Sequence, residues 1–270
     1  MNTFWTKILD FTQATTRRVG VQLLEDFGQV QATQKADGSL VTPSDKWADQ
    51  ELRRAIAATF PEHGILSEEG DQTFPGSEWC WVIDPVDGTT NFTRGIPLWA
   101  ISLGLLYQGT PVFGCIYLPP VNQFFHGFYP GEAQLEISPG AYCNDRPIHT
   151  SDDEPSSNHF FSVCARSTSV IQRGFPCKFR MLGVASYNFL TVAAGITLGA
   201  VEATPKVWDL AAVWVIVKAA GGEWVALNSQ PLFPLVPQKD YGDRSFPTLV
   251  VSRAELVPVF QPFLQKIGQN

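Results

Sequence analysis

A layered α/β or α+β body is the fold class this sequence predicts, and three observations carry it. Strand-like apolar segments alternate with amphipathic helical ones along the chain, with no internal repeat, low-complexity stretch or flexible linker between them. Three apolar segments, 98–107, 112–118 and 123–129, are separated by Gln108-Gly109-Thr110-Pro111 and Pro119-Pro120-Val121-Asn122, which is the pattern of an antiparallel meander. An aromatic and β-branched run, Trp79 to Ile83, ends abruptly in Asp84-Pro85-Val86-Asp87-Gly88-Thr89-Thr90-Asn91-Phe92, as a buried strand does when it feeds a turn and a helix.

In chain order, Phe4, Ile8, Phe11, Thr15, Val19 and Leu23 recur at steps of three and four, giving a first helix that ends near Gly28. Residues 34–45 read as a polar turn with short extended pieces. A second helix over about 45–59, capped by Ser44 or Asp45, buries Trp47, Leu52, Ile56 and Phe60 and stops at Pro61. Gly64 to Ser67 is a short strand delivering Glu68 and Glu69. Pro85 has no N–H for a sheet ladder, so the central strand should stop at Asp84. Gly88 permits a sharp turn, and Thr89, Thr90 and Asn91 suit a helix start. Residues 138–158 are loop-rich, 159–165 and 177–182 are strand-like, and Gly183-Val184-Ala185-Ser186 opens a helix to about 198. A short strand carries Glu202, a helix spans 209–220 before Gly221-Gly222, strands cover 223–227 and 247–252, and a closing helix runs from Ala254 to about Ile267.

The chain of 270 residues is long enough to bury a sizeable core, and its 44% hydrophobic content can fill it. A net charge of −7 argues against a nucleic-acid surface, which is normally basic. Arg17-Arg18 and Arg53-Arg54 read as solvated helix faces. Five cysteines without a CxxC fit a reducing compartment better than a zinc site or a disulfide framework. No Asp, Glu, Lys or Arg lies between Arg94 and Glu132, but Gly109, Pro111, Pro119 and Pro120 divide that stretch into pieces too short to span a bilayer as helix. A soluble, cytoplasmic protein without a membrane partner is the expectation.

Acidic residues stand where a strand meets a loop or helix: Glu68-Glu69, Asp84 with Asp87, and Asp209. Singly, each reads equally well as a loop carboxylate, and Asp209 as a helix cap. Gathered in one cleft, they would repel by about 4 kcal/mol for a pair 4 Å apart, so the cluster would need cations. Hard cations such as Mg²⁺ take oxygen ligands, helix N-termini bind phosphate, and a two-metal site suits in-line displacement at phosphorus.

Glu68-Glu69, the DPxDGTxNF block from Asp84 to Phe92, and Trp208-Asp209 followed by Ala220-Gly221-Gly222 resemble the inositol monophosphatase family. Lys35-Ala36-Asp37-Gly38-Ser39 and Val41-Thr42-Pro43-Ser44-Asp45 extend the resemblance over most of the chain. It implies a five-layered αβαβα sandwich of the inositol monophosphatase/fructose-1,6-bisphosphatase type. It also implies one catalytic unit with an N-terminal part over about 1–150 and a C-terminal part over about 151–270. The implied activity is Mg²⁺-dependent, lithium-sensitive hydrolysis of a small phosphomonoester by a homodimer, with two or three Mg²⁺ per site and no nucleic acid required. By the same resemblance, Glu68, Asp84 and the Val86 carbonyl hold one metal, and Asp84, Asp87 and Asp209 a second. Gly88 and Thr89 present N–H groups to the phosphate, and Thr89 with Asp45, alongside Glu68, serves the attacking water. Substrate contacts fall to Glu68, Val86, Asp87, Gly88, Thr89, Gly183, Val184, Ala185, Glu202 and Asp209.

Three departures bear on the substrate: Ser67 where the family usually has Gly, Val184 where a polar residue is common, and a short segment from Ser138 to Arg180. The reading favours inositol 1-phosphate, with histidinol phosphate and fructose 1,6-bisphosphate as alternatives. A haloacid-dehalogenase-type phosphatase would use DxD rather than this DxxD and would form an aspartyl-phosphate on Asp84. A non-catalytic, RNA-associated role on the same fold is the alternative from another class.

Overall fold

The computed structural model of the chain describes residues 2–169, 171–229, 231–264 and 267. Helix α1 (Thr3–Asp26) starts where the Asn2 side chain accepts the Trp5 N–H at 3.2 Å. Helix α2 (Pro43–Thr59) is capped by Thr42, not by Ser44 or Asp45 as expected. The Thr42 hydroxyl accepts from Ser44 N (3.1 Å) and Asp45 N (3.2 Å), while the Asp45 carboxylate accepts the Thr42 N–H at 3.0 Å. Pro43 fits the first helical position because no partner is needed for its missing N–H. Strands β1 (Thr33–Gln34) and β2 (Leu40–Val41) form a small antiparallel pair between these helices.

Seven strands follow one another across the first large sheet: β3 (Gly64–Ser67), β4 (Trp79–Asp87), β5 (Ala100–Tyr107), β6 (Thr110–Leu118), β7 (Gln123–Phe128), β8 (Gly140–Cys143) and β9 (Arg146–Pro147). Only β3 and β4 pair in parallel; the remaining pairs are antiparallel, and β5 to β7 form the expected meander. β4 does not stop at Asp84. It continues to Asp87 through a register shift between those two residues, and an irregularity of this kind admits Pro85, which could not sit in a regular ladder. The 138–158 segment is less loop-like than expected, since it holds β8 and β9.

Helix α3 (Thr89–Arg94) lies between β4 and β5. The second sheet contains β10 (Phe160–Val163), β11 (Lys178–Arg180), β12 (Gly199–Glu202), β13 (Glu223–Ala226) and β14 (Thr248–Val251), in the order β11-β10-β12-β14-β13. Helices α4 (Ala185–Ala193) and α5 (Val207–Ala219) join its strands. α4 ends five residues short of the expected 198, where Gly195 takes a left-handed φ of +69°. The expected closing helix is broken into a 3₁₀ turn, α6 (Val257–Phe260) and a second 3₁₀ turn ending at Leu264. Pro258 and Pro262 remove backbone donors within it. Residues 265 and 266 of that expectation lie outside the described residues.

Among the described residues, three apolar clusters fill the four interfaces between five layers, the largest spanning both sides of the central helices. Trp5, Ile8, Leu23, Leu52 and Ile56 of α1 and α2 meet Trp81, Ile83, Ile101 and Leu103 on one face of the first sheet. Val82, Ile116 and Phe125 on its other face meet Phe189 of α4 and Ala211, Ala212 and Ile216 of α5, which in turn cover Ala200 and Val250 of the second sheet. Phe161, Val201 and Leu249 on the outer face of that sheet pack under Leu256, Phe260 and Leu264. The αβαβα order is therefore that of the sequence expectation. α5 is apolar all round because it lies between two sheets.

Close approach of α5 to the first sheet depends on a row of glycines. Gly104, Gly114 and Gly127 are cross-strand partners on β5, β6 and β7. A Cβ on Gly114 would stand 2.1 Å from the Ala212 carbonyl oxygen, and one on Gly104 would stand 2.9 Å from the Ala211 Cβ. The bare backbone of three strands is thus the bed of α5, and it carries Asp209, in the first turn of that helix, to the end of β4.

Candidate active site

At the end of β4, the register shift turns Asp84 and Asp87 into one cavity of about 680 Å³, lined also by Glu68, Thr89, Gly183, Glu202 and Asp209. One carboxylate oxygen from each of Asp84, Asp87 and Asp209 lies within 4.8 Å of the others. Asp84 and Asp87 are buried and Asp209 is half-buried. Asp84 Oδ1 accepts the Val86 N–H at 3.0 Å, which fixes its orientation. Asp209 Oδ2 accepts the Lys206 N–H at 2.5 Å, so Asp209 caps its own helix from within the first turn.

Electrostatics mark this cluster as strained without a cation. Burial, then the charges of Glu68, Asp87 and Asp209, pushes the Asp84 carboxyl well above the usual range. Burial and Asp87 do the same to Asp209. Asp87 is raised by burial, against the opposing pull of hydrogen bonds from Ser186 and Ala185. Glu68 is pushed up to about 7 by burial, although Lys35 pulls it down. An all-oxygen donor set with this excess of negative charge fits a hard divalent cation.

Beside the carboxylates, Gly88 adopts a left-handed φ of +94° and starts α3, leaving the N–H groups of the first turn directed out of the helix end. The Thr89 hydroxyl donates to Asp45 Oδ1 at 2.9 Å and lies 3.1 Å from the Val86 carbonyl oxygen. Asp45 is buried and its carboxyl is raised by that burial. On the far side of the cavity, Glu202 is pushed up to about 7 by burial and accepts from Asn188 Nδ2 at 2.6 Å. Gly183, with a φ of +74°, sits so close to Asn91 that a Cβ would meet its amide at 2.8 Å. Val184 and Ala185 then lead into α4.

All the expected site residues line this cavity except Asp45, which reaches it through Thr89. Three contributors escaped the sequence reading. Lys35 Nζ binds Glu68 at 2.8 Å and also binds Glu69. Asn91 Nδ2 donates to the carbonyls of Leu98 (2.9 Å) and Leu182 (2.8 Å), tying α3 to the segment before α4. Asn188 orients Glu202. Asn188 shares α4 with the polar Ser186 and Thr191, so its residue type alone did not single it out. No signal existed for the contact Lys35 makes.

Fold and site together define an α/β sandwich with a buried carboxylate cluster at a strand end, beside a helix N-terminus. The model of the inositol monophosphatase family matches residues 5–252, and the chain belongs to that family. It is 34% identical to a fructose-1,6-bisphosphatase/inositol-1-monophosphatase of Aquifex aeolicus over 82% of this chain and 86% of that one. It is 29% identical to a histidinol-phosphatase of Chlorobaculum parvum, over 76% of this chain and 80% of that one. Among solved structures, the Thermotoga maritima IMPase superposes with a TM-score of 0.78 at 27% identity, covering 97% of this chain and 100% of that one. Among the described residues, no helix is long and apolar enough to cross a membrane.

Proposed function

We propose that this protein is a Mg²⁺-dependent phosphomonoesterase of small polyol phosphates, with inositol 1-phosphate its best substrate and inositol and phosphate its products. The observation that carries this reading is the convergence of Asp84, Asp87 and Asp209 within 4.8 Å beside the start of α3. Glu68, Asp84 and the Val86 carbonyl would hold one Mg²⁺, and Asp84, Asp87 and Asp209 another, two or three ions in all. Bound there, Mg²⁺ supplies a lowered water pKa and charge stabilisation for the leaving oxygen.

The remaining work belongs to this chain. The Gly88 and Thr89 N–H groups hold the phosphate oxygens. The Asp45–Thr89 pair, linked at 2.9 Å, aligns the attacking water and takes its proton, with Glu68 assisting. Glu202, Gly183, Val184 and Ala185 face the alcohol, and Asn188 keeps Glu202 in place. No nucleophilic side chain is required, which separates this reading from an aspartyl-phosphate mechanism on Asp84. Lithium sensitivity and a cytoplasmic homodimer accompany the proposal.

A kcat/KM comparison across inositol 1-phosphate, histidinol phosphate and fructose 1,6-bisphosphate tests the substrate. Inositol 1-phosphate should lead; a lead by either other ester would keep the site and replace the substrate. Recovery of phosphate on Asp84 in a rapid-quench experiment would contradict the mechanism.

A further inference from the structure

Asp49 is a buried carboxylate that does not line the active-site cavity. It stands on α2 one helical turn after Asp45, so the two side chains leave the same face of the helix. Both are 1% exposed. Like charges at this spacing weaken a helix, and exchanging a buried ion pair for apolar side chains is often neutral or stabilising. Stability alone therefore gives no reason for a carboxylate here.

The two oxygens of Asp49 serve different elements. Oδ2 accepts the Arg53 Nε–H at 2.7 Å, within the helix. Oδ1 accepts the hydroxyl of Ser67, the fully buried last residue of β3. Among the described residues, this is the one hydrogen bond that joins α2 to the turn after β3. Ser67 closes that turn, donating its N–H to the Asp71 carbonyl at 2.9 Å and accepting the Gly70 N–H at 3.3 Å. Arg53 lies against the same turn, since a Cβ on Gly70 would stand 3.3 Å from its Nε. Glu68, the next residue, lines the cavity and donates its N–H to the Ile83 carbonyl at 3.1 Å, beside Asp84. Burial raises the Glu69 carboxyl against the pull of Lys35, and the charges of Asp45 and Asp49 add to it, so these acids crowd one region. Ser67 stands where the family usually has Gly, and Gly has no hydroxyl to make the bond.

We propose that Asp49 is a positioning residue of the active site, which through Ser67 holds Glu68 in register with Asp45. This rests on the reading of Glu68 as a Mg²⁺ ligand and of Asp45, through Thr89, as the partner of the attacking water. One side of Asp49 is tied to the helix that carries Asp45, and the other to the strand end that carries Glu68. The two halves of the water site then keep a fixed separation, although they lie on elements that meet otherwise through apolar packing.

A mutant cycle on the full chain tests this, with Mg²⁺ binding followed by calorimetry beside the kinetics. Ser67→Ala and Asp49→Ala should each weaken Mg²⁺ binding about tenfold or more, the scale of outer-shell partners. At saturating Mg²⁺ each should lower kcat about tenfold, with KM for inositol 1-phosphate held within about twofold. The double variant should match Asp49→Ala within about twofold, because both changes break one bond. Glu51→Gln, which removes the α2 ion pairs with Arg18 and Arg54, should leave Mg²⁺ binding unchanged. Lowered stability with wild-type Mg²⁺ affinity and kcat in both single variants, or losses that multiply in the double variant, would overturn the proposal alone. Wild-type protein that takes up no Mg²⁺ would overturn the metal-site reading and the proposal with it.

Discussion

Asp87 accepts the Ser186 N–H at 2.8 Å and the Ala185 N–H at 3.1 Å, so a carboxylate at the end of β4 caps a helix that begins almost a hundred residues later. Val184, at the N-cap of α4, supplies no side-chain hydrogen bond to it. One side chain therefore faces the proposed cation site and holds the substrate-facing turn of α4 against it. Asn91 reinforces the link from α3.

Asp209→Asn and Asp87→Asn separate charge from capping. Each removes one negative charge, but Asn at 209 can still accept the single Lys206 N–H, whereas Asn at 87 has one acceptor oxygen for two helix N–H groups. Both variants should lose more than about a hundredfold in turnover, beyond the loss typical of outer-shell partners. In chelator, Asp209→Asn should be at least as stable as wild type, and Asp87→Asn about 0.5–2 kcal/mol less stable than Asp209→Asn. Urea denaturation of the three proteins measures this directly.

Stability without metal should fall as pH rises. Glu68 and Glu202 are raised from 4.5 to about 7 by burial, so between these values the folded chain keeps protons that the unfolded chain has released. Unfolding free energy then decreases through that window, by up to about 1.4 kcal/mol per pH unit for each proton held. The raised carboxyls of Asp84, Asp87 and Asp209 act with the same sign. Denaturation in chelator at pH 5, 6 and 7 should show the decline, and saturating Mg²⁺ should flatten it. A metal-free protein that gains stability from pH 5 to 7 would contradict the electrostatics described.

Glu202→Gln should change which alcohol is preferred more than it changes turnover of any one ester. Asn188→Ala should shift preference the same way, because it removes the 2.6 Å hydrogen bond that orients Glu202. The readout is the ratio of kcat/KM between inositol 1-phosphate and histidinol phosphate. An equal loss on both esters would exclude a role in alcohol recognition.

Gly114→Ala tests the packing that sets the distance between α5 and β4. Its Cβ would collide with the Ala212 backbone at 2.1 Å, so α5 must shift, at a cost of about 1–3 kcal/mol or more. A lowered denaturation midpoint together with weakened Mg²⁺ binding is expected, since Asp209 moves with the helix.

Much of this architecture was legible in the sequence because it is local. Pro85, Gly88 and the run of cap-type residues announce a strand end and a helix start within one stretch. Alternation of strand-like and helical segments pointed to a layered α/β or α+β body, and the five-layer order came from the family resemblance. Asp209 was legible as a site residue only through family resemblance, since nothing local distinguishes it from an ordinary cap. The contact of Lys35 with Glu68, the hydrogen bond from Asn188 to Glu202 and the bed formed by Gly104, Gly114 and Gly127 are all tertiary. The passage of β4 through Pro85 and the broken closing segment were misread for the same physical reason. What Pro does to an element depends on whether its neighbours supply a bulge or a turn.

Phosphate release from inositol 1-phosphate by chelator-treated protein, followed as Mg²⁺ is added back, decides whether the carboxylate cluster works through a bound cation. No turnover is expected without the ion, and a saturable rise with it that Asp84→Asn abolishes. Turnover undiminished in chelator, or retained in Asp84→Asn, would contradict a cation-dependent site.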